Sequence, residues 1–361
     1  MASINVVGLA NSTKTPLVKL AVILGGAGTS VGESPKKILL IGNMIATALT
    51  GSAPSFTVSA GTWLASGAAK EEPVQVFSAD DAATKFGRGS ELHRMALKVF
   101  DQYKAATLWC CPVAEASNTK ASATLTFVGS ATAAGTIRLM IAGKQIDVGY
   151  ASGDTVTAIA TACATAIRDQ GLDLPVTAQF AAGVLTVTAR NGGPRGNDLA
   201  FRAYHVNGND IIAIGTSTTA NGTAATITGS GKLASGATAD SATNALAAIA
   251  NTRFDRIAVA FNDTTNIAAV GSQVDTMAAI DTMKWQQVIA GSIKSPSNAT
   301  ADAATLNKSR IQLVAAENCD ATPGEMAAQV AAARLIGNAV TGGSVIGEAT
   351  DPATNLDGCS L

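Results

Sequence analysis

The chain has 361 residues, enough for two or three domains that each bury a core. Hydrophobic residues make up 47% and charged residues 14%, with a formal net charge of −1. These values exclude a chain disordered by composition and a broad electrostatic surface for nucleic acid or anionic lipid. Aromatic residues are only 4%, while Ala, Thr and Gly abound, which favours closely packed backbones over deep aromatic ligand pockets and suits a protein that packs against copies or partners.

In chain order, residues 1–35 are rich in Gly, Ser, Thr and Asn and read as an extended arm. Its best strand candidate is Leu20-Ala21-Val22-Ile23-Leu24, apolar on both faces and suited to joining another sheet. The run around it carries Lys19 and is too short to span a bilayer, and no charged segment precedes it in the manner of a leader. Neither membrane insertion nor secretion is expected. Ile38-Leu39-Leu40-Ile41-Gly42 is a continuous apolar run closed by glycine, the pattern of a strand buried on both faces of a parallel sheet. Helices are expected over 79–85 and 90–103, and a second buried strand over 107–113.

From about 118 to 235 the texture changes to alternating Thr and apolar residues, as in ATLTFVG, TIRLMIAG and GVLTVTAR, which predicts half-exposed strands separated by glycine turns. One helix interrupts them, expected to be capped by Asp154, with Val156, Ile159, Ala160, Cys163 and Ile167 as its apolar stripe. The run GTSTTANGTAATITGSGKLASG reads as a loop or edge hairpin ending in a flexible junction. After Ala237 the buried pattern returns: helix 241–250, strand 256–261, helix 267–284, strand 287–290, helix 301–309, strand 311–315, helix 324–338. Such alternation predicts a mostly parallel sheet with helices on both faces, interrupted by an inserted α+β domain.

Candidate chemistry is sparse. FGRGSELHRM (86–95) has the outline of an anion-binding loop, but it lacks the third glycine of a dinucleotide fingerprint and the Gly-Lys-Ser/Thr ending of a P-loop. Gly87, Gly89 and Ser90 read instead as a structural turn and helix cap. GSGKLASG (229–236) is a broken Walker motif. Asp80-Asp81, and Asp198 with Asp210, fit helix capping and solvated turns better than cation binding. The two histidines, His93 and His205, have no nucleophile motif beside them, and His205 is expected in a polar loop, so a Ser-His-Asp triad is not expected. Cys110, Cys111, Cys163, Cys319 and Cys359 show no C-x-x-C spacing and are expected as buried free thiols. No catalytic, cofactor-binding or metal-binding residues are assigned. A doubly wound small-molecule enzyme or binding protein would need convergent polar groups at Gly42-Asn43, Pro112, Asn262-Asp263 and Gly291-Ser292, which supply few ionisable ones. A secreted adhesin built on the Thr-rich region is disfavoured by the odd cysteine count and the missing leader.

Five segments, in order, resemble tail sheath proteins of contractile-tailed bacteriophages, nearest the Mu-like branch. PKKILLIGNM (35–44) is similar to the family's first core strand and FSADDAATKFGRGSELHRM (77–95) to its helix, FG-x-GS turn and second helix. TAAGTIRLMIAGKQIDVGYASGDTVTAIA (132–160) resembles the opening of the inserted domain, DLPVTAQFAAGVLTVTARNGGPRGNDL (173–199) its close, and FDRIAVAFND (254–263) the strand that returns to the core. The resemblance implies a subtilisin-like α/β core in two halves, 36–117 and 236–345. It also implies an outer inserted domain at 118–235, the arm at 1–35, and a tail at 346–361 leading toward a C-terminal domain expected to be absent, since the chain stops at Leu361. The implied function is that of a non-enzymatic subunit, assembled in the host cytoplasm into the virion tail. It would polymerise helically around an inner tube and contract to drive that tube through the host envelope. The implied partners are other sheath subunits, linked through the arm at Leu20–Leu24, together with the tail tube protein, baseplate and tail terminator, with no nucleic acid and no cofactor.

Overall fold

The computed structural model describes residues 36–116, 119–171, 173–206, 210–211, 218–229 and 231–341. The arm candidate Leu20 to Leu24 and the tail 346–361 lie outside the described residues.

The chain begins with β1 (Lys37–Asn43), then makes two small hairpins, β2 (Leu49–Ser52) with β3 (Ser55–Val58) and β4 (Leu64–Ala65) with β5 (Ala68–Ala69). β6 (Val74–Val76), α1 (Ala79–Phe86), α2 (Glu91–Gln102) and β7 (Thr107–Val113) follow. The central region contains β8 (Ser122–Val128), β9 (Gly135–Ile141), β10 (Lys144–Tyr150), α3 (Val156–Asp169), β11 (Val176–Ala181) and β12 (Val184–Ala189). It continues through a 3-10 turn at Pro194–Asp198 into β13 (Phe201–His205), β14 (Asp210–Ile211), β15 (Thr218–Ala220) and β16 (Thr223–Ile227). The last third alternates α4 (Thr243–Ile249), β17 (Arg256–Val259), α5 (Thr264–Met277), β18 (Gln287–Ser292), α6 (Pro296–Leu306), β19 (Ile311–Ala315) and α7 (Pro323–Thr341).

One sheet has the order β19-β18-β17-β1-β7-β6, parallel throughout except for β6. Successive side chains of a strand point to opposite faces, so β1 serves two cores at once. Ile38 and Leu40 join the core of α1, α2 and α7, whereas Leu39 and Ile41 join that of α4 and α5. The apolar run of β1 is thus the signature of burial on both sides. α7 approaches the sheet closely because Ala327, Ala328, Ala331 and Ala332 are fully buried and small. Its start lies against β18 at Gly291, where an added Cβ would overlap the Pro323 carbonyl.

The central strands form two antiparallel sheets, β10-β9-β13-β14 and β11-β12-β8-β16-β15, whose apolar faces and α3 close a separate core containing Leu125, Ile137, Leu139, Ile159, Leu185 and Val187. Several sequence expectations shift here. The α3 cap is Thr155, whose hydroxyl accepts from Ala158 N at 3.3 Å; Asp154 turns back to accept from Ala151 N at 2.7 Å. α5 starts at its Asp263 cap and stops at Met277, because the Thr282 hydroxyl bonds the carbonyl of Met277 and the chain turns away. α6 starts earlier than expected, with Pro296 in its first turn, and ends at Asn307 in the left-handed region. The GSGKLASG segment is not a flexible junction: Leu233 is buried, Leu233 N donates to Leu199 O, and Ala234 exchanges backbone bonds with Ser122. His205 is buried on β13 rather than in a polar loop. Cys110, Cys111 and Cys163 are buried free thiols, but Cys319 is disulfide-bonded, so the expectation of free thiols fails at that residue.

Candidate functional site

In a parallel sheet, ligands usually bind beyond the carboxyl ends of the strands. Here those ends meet the central module through a buried polar seam. Asn43, closing β1, donates from its backbone N to Glu91 Oε2 at 2.9 Å and from Nδ2 to Asp240 Oδ2 at 3.1 Å. The 3-10 turn of the central module brings Arg195 between the same two carboxylates, with Nη1 2.9 Å from Glu91 Oε2 and Nη2 on Asp240 Oδ2. Its guanidinium also lies over the Phe261 ring, 5.0 Å from the centroid. Asp240 Oδ1 accepts from Ala116 N, tying together the chain segments that enter and leave the module.

Asn191 completes the seam. Its Oδ1 accepts from Glu91 N at 3.1 Å, and its Nδ2 donates to Met44 O at 3.1 Å and to Glu115 Oε1 at 2.6 Å. Arg190 donates to the carbonyls of Arg88 and Val176, and Asn262 Nδ2 donates to Asp198 Oδ2. Burial raises the pKa of Glu91, which Arg195 only partly offsets because Asp240 shares it. Burial likewise raises Glu115 and Asp198, and it lowers Arg190 to about 10. The space left beside Asn43, Glu91, Asn191 and Arg195 is about 40 Å³, enough for a few waters and far below a substrate pocket.

The FGRGS segment feeds this seam structurally. Gly87 and Gly89 have φ of +85° and +73°, a region that strains any residue with a Cβ. Gly87 N closes α1 on Ala83 O, and the Ser90 hydroxyl caps α2 by accepting from His93 N at 3.2 Å. His93 Nδ1 accepts from Gly89 N at 3.1 Å, which leaves the ring proton on Nε2. Burial lowers its pKa to about 4. Arg94 pairs with buried Glu325 of α7 at 2.7 Å. Asp80 pairs with Arg88, and Asp81 with Lys85, while Ser78 caps α1. Of the positions a small-molecule site would use, Asn43, Asn262 and Gly291 are therefore occupied by protein, and Asp263 caps α5. Among the described residues no group of three or more His, Cys, Asp or Glu is placed to hold a metal, and no helix is long and apolar enough to cross a membrane.

Sequence reading missed the seam because its members are scattered from Asn43 to Asn262. The one local sign was NGGPRGND, a polar, glycine-rich interruption between Thr-rich strands.

Fold and seam define a mixed α/β protein whose strand ends are taken up by its own antiparallel module. Over 152 residues the chain is 40% identical to the Mu-like prophage FluMu tail sheath protein of Haemophilus influenzae. That match spans 41% of this chain and 31% of the relative's length. No family model matches the sequence. The crystal structure of the sheath tail protein from Desulfitobacterium hafniense aligns with 87% of this chain and 62% of its own, at 15% identity and a TM-score of 0.32, a likeness too slight to establish a shared fold.

Proposed function

We propose that this chain is a structural subunit of a contractile phage tail sheath, and that it performs no catalysis. The observation that carries the reading is the seam: the end of the sheet where an α/β enzyme would hold its substrate is closed by Arg195, Asn191 and Asp198 of the central module. Buried, charge-assisted bonds of this kind hold the two parts in one arrangement, as a subunit that turns as a rigid body requires. Kinship with a Mu-like tail sheath protein supports the same role.

On this reading the six-stranded sheet is a subtilisin-like core in two halves, 36–117 and 236–345, and 118–235 is an outer inserted domain. The arm at Leu20 to Leu24 links neighbouring subunits by strand addition. Subunits assemble in the host cytoplasm around the tail tube between baseplate and terminator, and contract by rigid-body rotation that gains interface area. The test is electron microscopy of the purified full chain at high concentration. Rings, tubes or helical polymers are expected. A monodisperse particle whose melting temperature rises with a small ligand would replace this reading with the small-molecule one.

A further inference from the structure

A cleft of about 320 Å³ opens at the amino ends of the parallel strands, the opposite end of the sheet from the seam. It is lined by Lys36 ahead of β1, Arg253 and Arg256 around the start of β17, and Arg310 ahead of β19. Trp285 forms its rim, 64% exposed, with the Arg310 guanidinium 5.4 Å from the ring centroid. Asp255 is the one carboxylate in the lining, and Lys37 N at 2.8 Å and Arg253 at 3.0 Å already engage it. Asp275, outside the lining, is shared between Lys308 at 3.0 Å and Arg310 at 3.7 Å. The positive charge continues toward α7, whose Leu335 forms one wall: Arg256 Nε and Arg334 Nε are both buried with no hydrogen-bond partner among the described residues. Burial lowers the Arg256 pKa, the Arg334 charge lowers it further, and Asp255 offsets only part of this. Guanidiniums so placed are satisfied by an anion that brings its own hydrogen-bond acceptors.

Two terminal segments of the chain lie outside the described residues, and their charges decide between them as the source of that anion. Residues 1–35 hold Lys14, Lys19 and a single acid, Glu33, whereas residues 342–361 hold Glu348, Asp351 and Asp357 and no Lys, Arg or His. The acidic segment also starts close by, since α7 ends at Thr341, about 9 Å along the helix axis from Leu335 in the cleft wall. The stretch from Gly342 to Glu348 spans at most about 25 Å, and it opens with Gly342-Gly343, a pair that lets the chain reverse. That reach brings Glu348 back to the cleft, with Val345 and Ile346 just ahead of it for the apolar rim at Trp285. We propose that the cleft is the seat of this chain's own tail: residues 345–351 fold back past Trp285 and bring Glu348 and Asp351 against Arg253, Arg256 and Arg310. The contact lies within one chain and needs no neighbouring subunit, so it stands apart from the sheath reading.

The test is limited proteolysis of the full chain by an endopeptidase that cuts after glutamate, with release of residues 349–361 followed by mass spectrometry. Reducing buffer keeps Cys359 out of any disulfide, and a dilution series is carried down to monomers as judged by sedimentation. Protection is the rate of cleavage after Glu348 in a free peptide of residues 342–361 divided by the rate in the chain, and it is expected to be at least tenfold. R253E/R310E in the cleft should lose most of it, and D351K in the tail should be cut at least threefold faster than the parent, each measured against its matching peptide. The chain carrying all three changes should be cut more slowly than R253E/R310E, because the reversed charges then attract. D351K leaves every cleft residue in place, so it decides the matter even if R253E/R310E melts at a lower temperature. A parent cut at the peptide's rate, or variants as resistant as the parent, would overturn the proposal. Protection that disappears on dilution would overturn it too, by placing the tail on a second copy.

Discussion

The imidazole of His93 sits under the start of α2 with Nδ1 on the Gly89 N–H, and burial holds its pKa near 4 against an ordinary value of 6.5. The unfolded chain therefore takes up a proton first as pH falls. The stability that neutral His93 contributes is complete above 6.5 and drains away toward 4, by about 3 kcal/mol at roughly 1.4 kcal/mol per pH unit. Glu91, Glu115 and Asp198 act in the opposite sense: their raised values make their contribution fullest below the unfolded carboxylate pKa, and it is lost as pH rises through the folded one. His93→Gln retains an acceptor for Gly89 N but cannot titrate. Urea melts at pH 4, 5, 6 and 7 should show a shallower acid loss in this variant than in the parent, with little difference at pH 7. Superimposable profiles would mean that the ring is protonated in the folded chain. At this scale the turn was legible from sequence, because glycines at positive φ and a serine cap have local causes. The destination of Glu91 was not, since its partner Arg195 lies 104 residues away.

Elements were readable where one force dominates and misread where two compete. The apolar runs of β1, β7 and β18 have no explanation but burial on both faces, so the parallel sheet follows from them. The end of α5 was misplaced because AAIDTM continues a helical spacing that Thr282 overrides, and Asp154 lost the α3 cap to its neighbour Thr155. The seat of α7 on β18 was invisible from sequence, since a glycine reveals close approach only when the approaching element is known. Gly291 has an ordinary backbone conformation, so alanine there is strained only by contact, and the obstacle is the Pro323 backbone rather than a side chain that can move. Gly291→Ala should cost about 1–3 kcal/mol, toward the upper end, as α7 is pushed off the sheet. Gly149→Ala, in β10 with nothing within 4 Å of the added methyl, should be neutral or stabilising by about 0.5 kcal/mol. Denaturant melts of the two variants should separate them clearly. Equal midpoints would show that α7 docks loosely.

For the molecule as a whole, the fold class was written in the change of texture, from apolar runs to Thr alternation and back. The way the two parts are joined was not, because a seam of single polar residues has no periodicity to detect. That join makes an unusual ordering of stabilities testable. In the intact chain Arg195 sits between Glu91 and Asp240 with all three side chains largely buried. Arg195→Met leaves two carboxylates covered and uncompensated, a change that typically costs about 3–5 kcal/mol. Removing residues 118–235 entirely, with a short Gly/Ser linker in their place, also removes Arg195, but it opens the same carboxylates to water, which solvates them. The Ala116 N bond to Asp240 Oδ1 keeps the two splice points near one another, so the linker need not strain the sheet. The shortened chain should therefore unfold in one cooperative transition, with a smaller urea slope because less surface is exposed. It should keep a higher midpoint than the full-length Arg195→Met variant, although far more structure has been lost. A shortened chain without a cooperative transition would mean that the parallel sheet depends on the module for its own fold, and the boundaries proposed for the two parts would have to be redrawn.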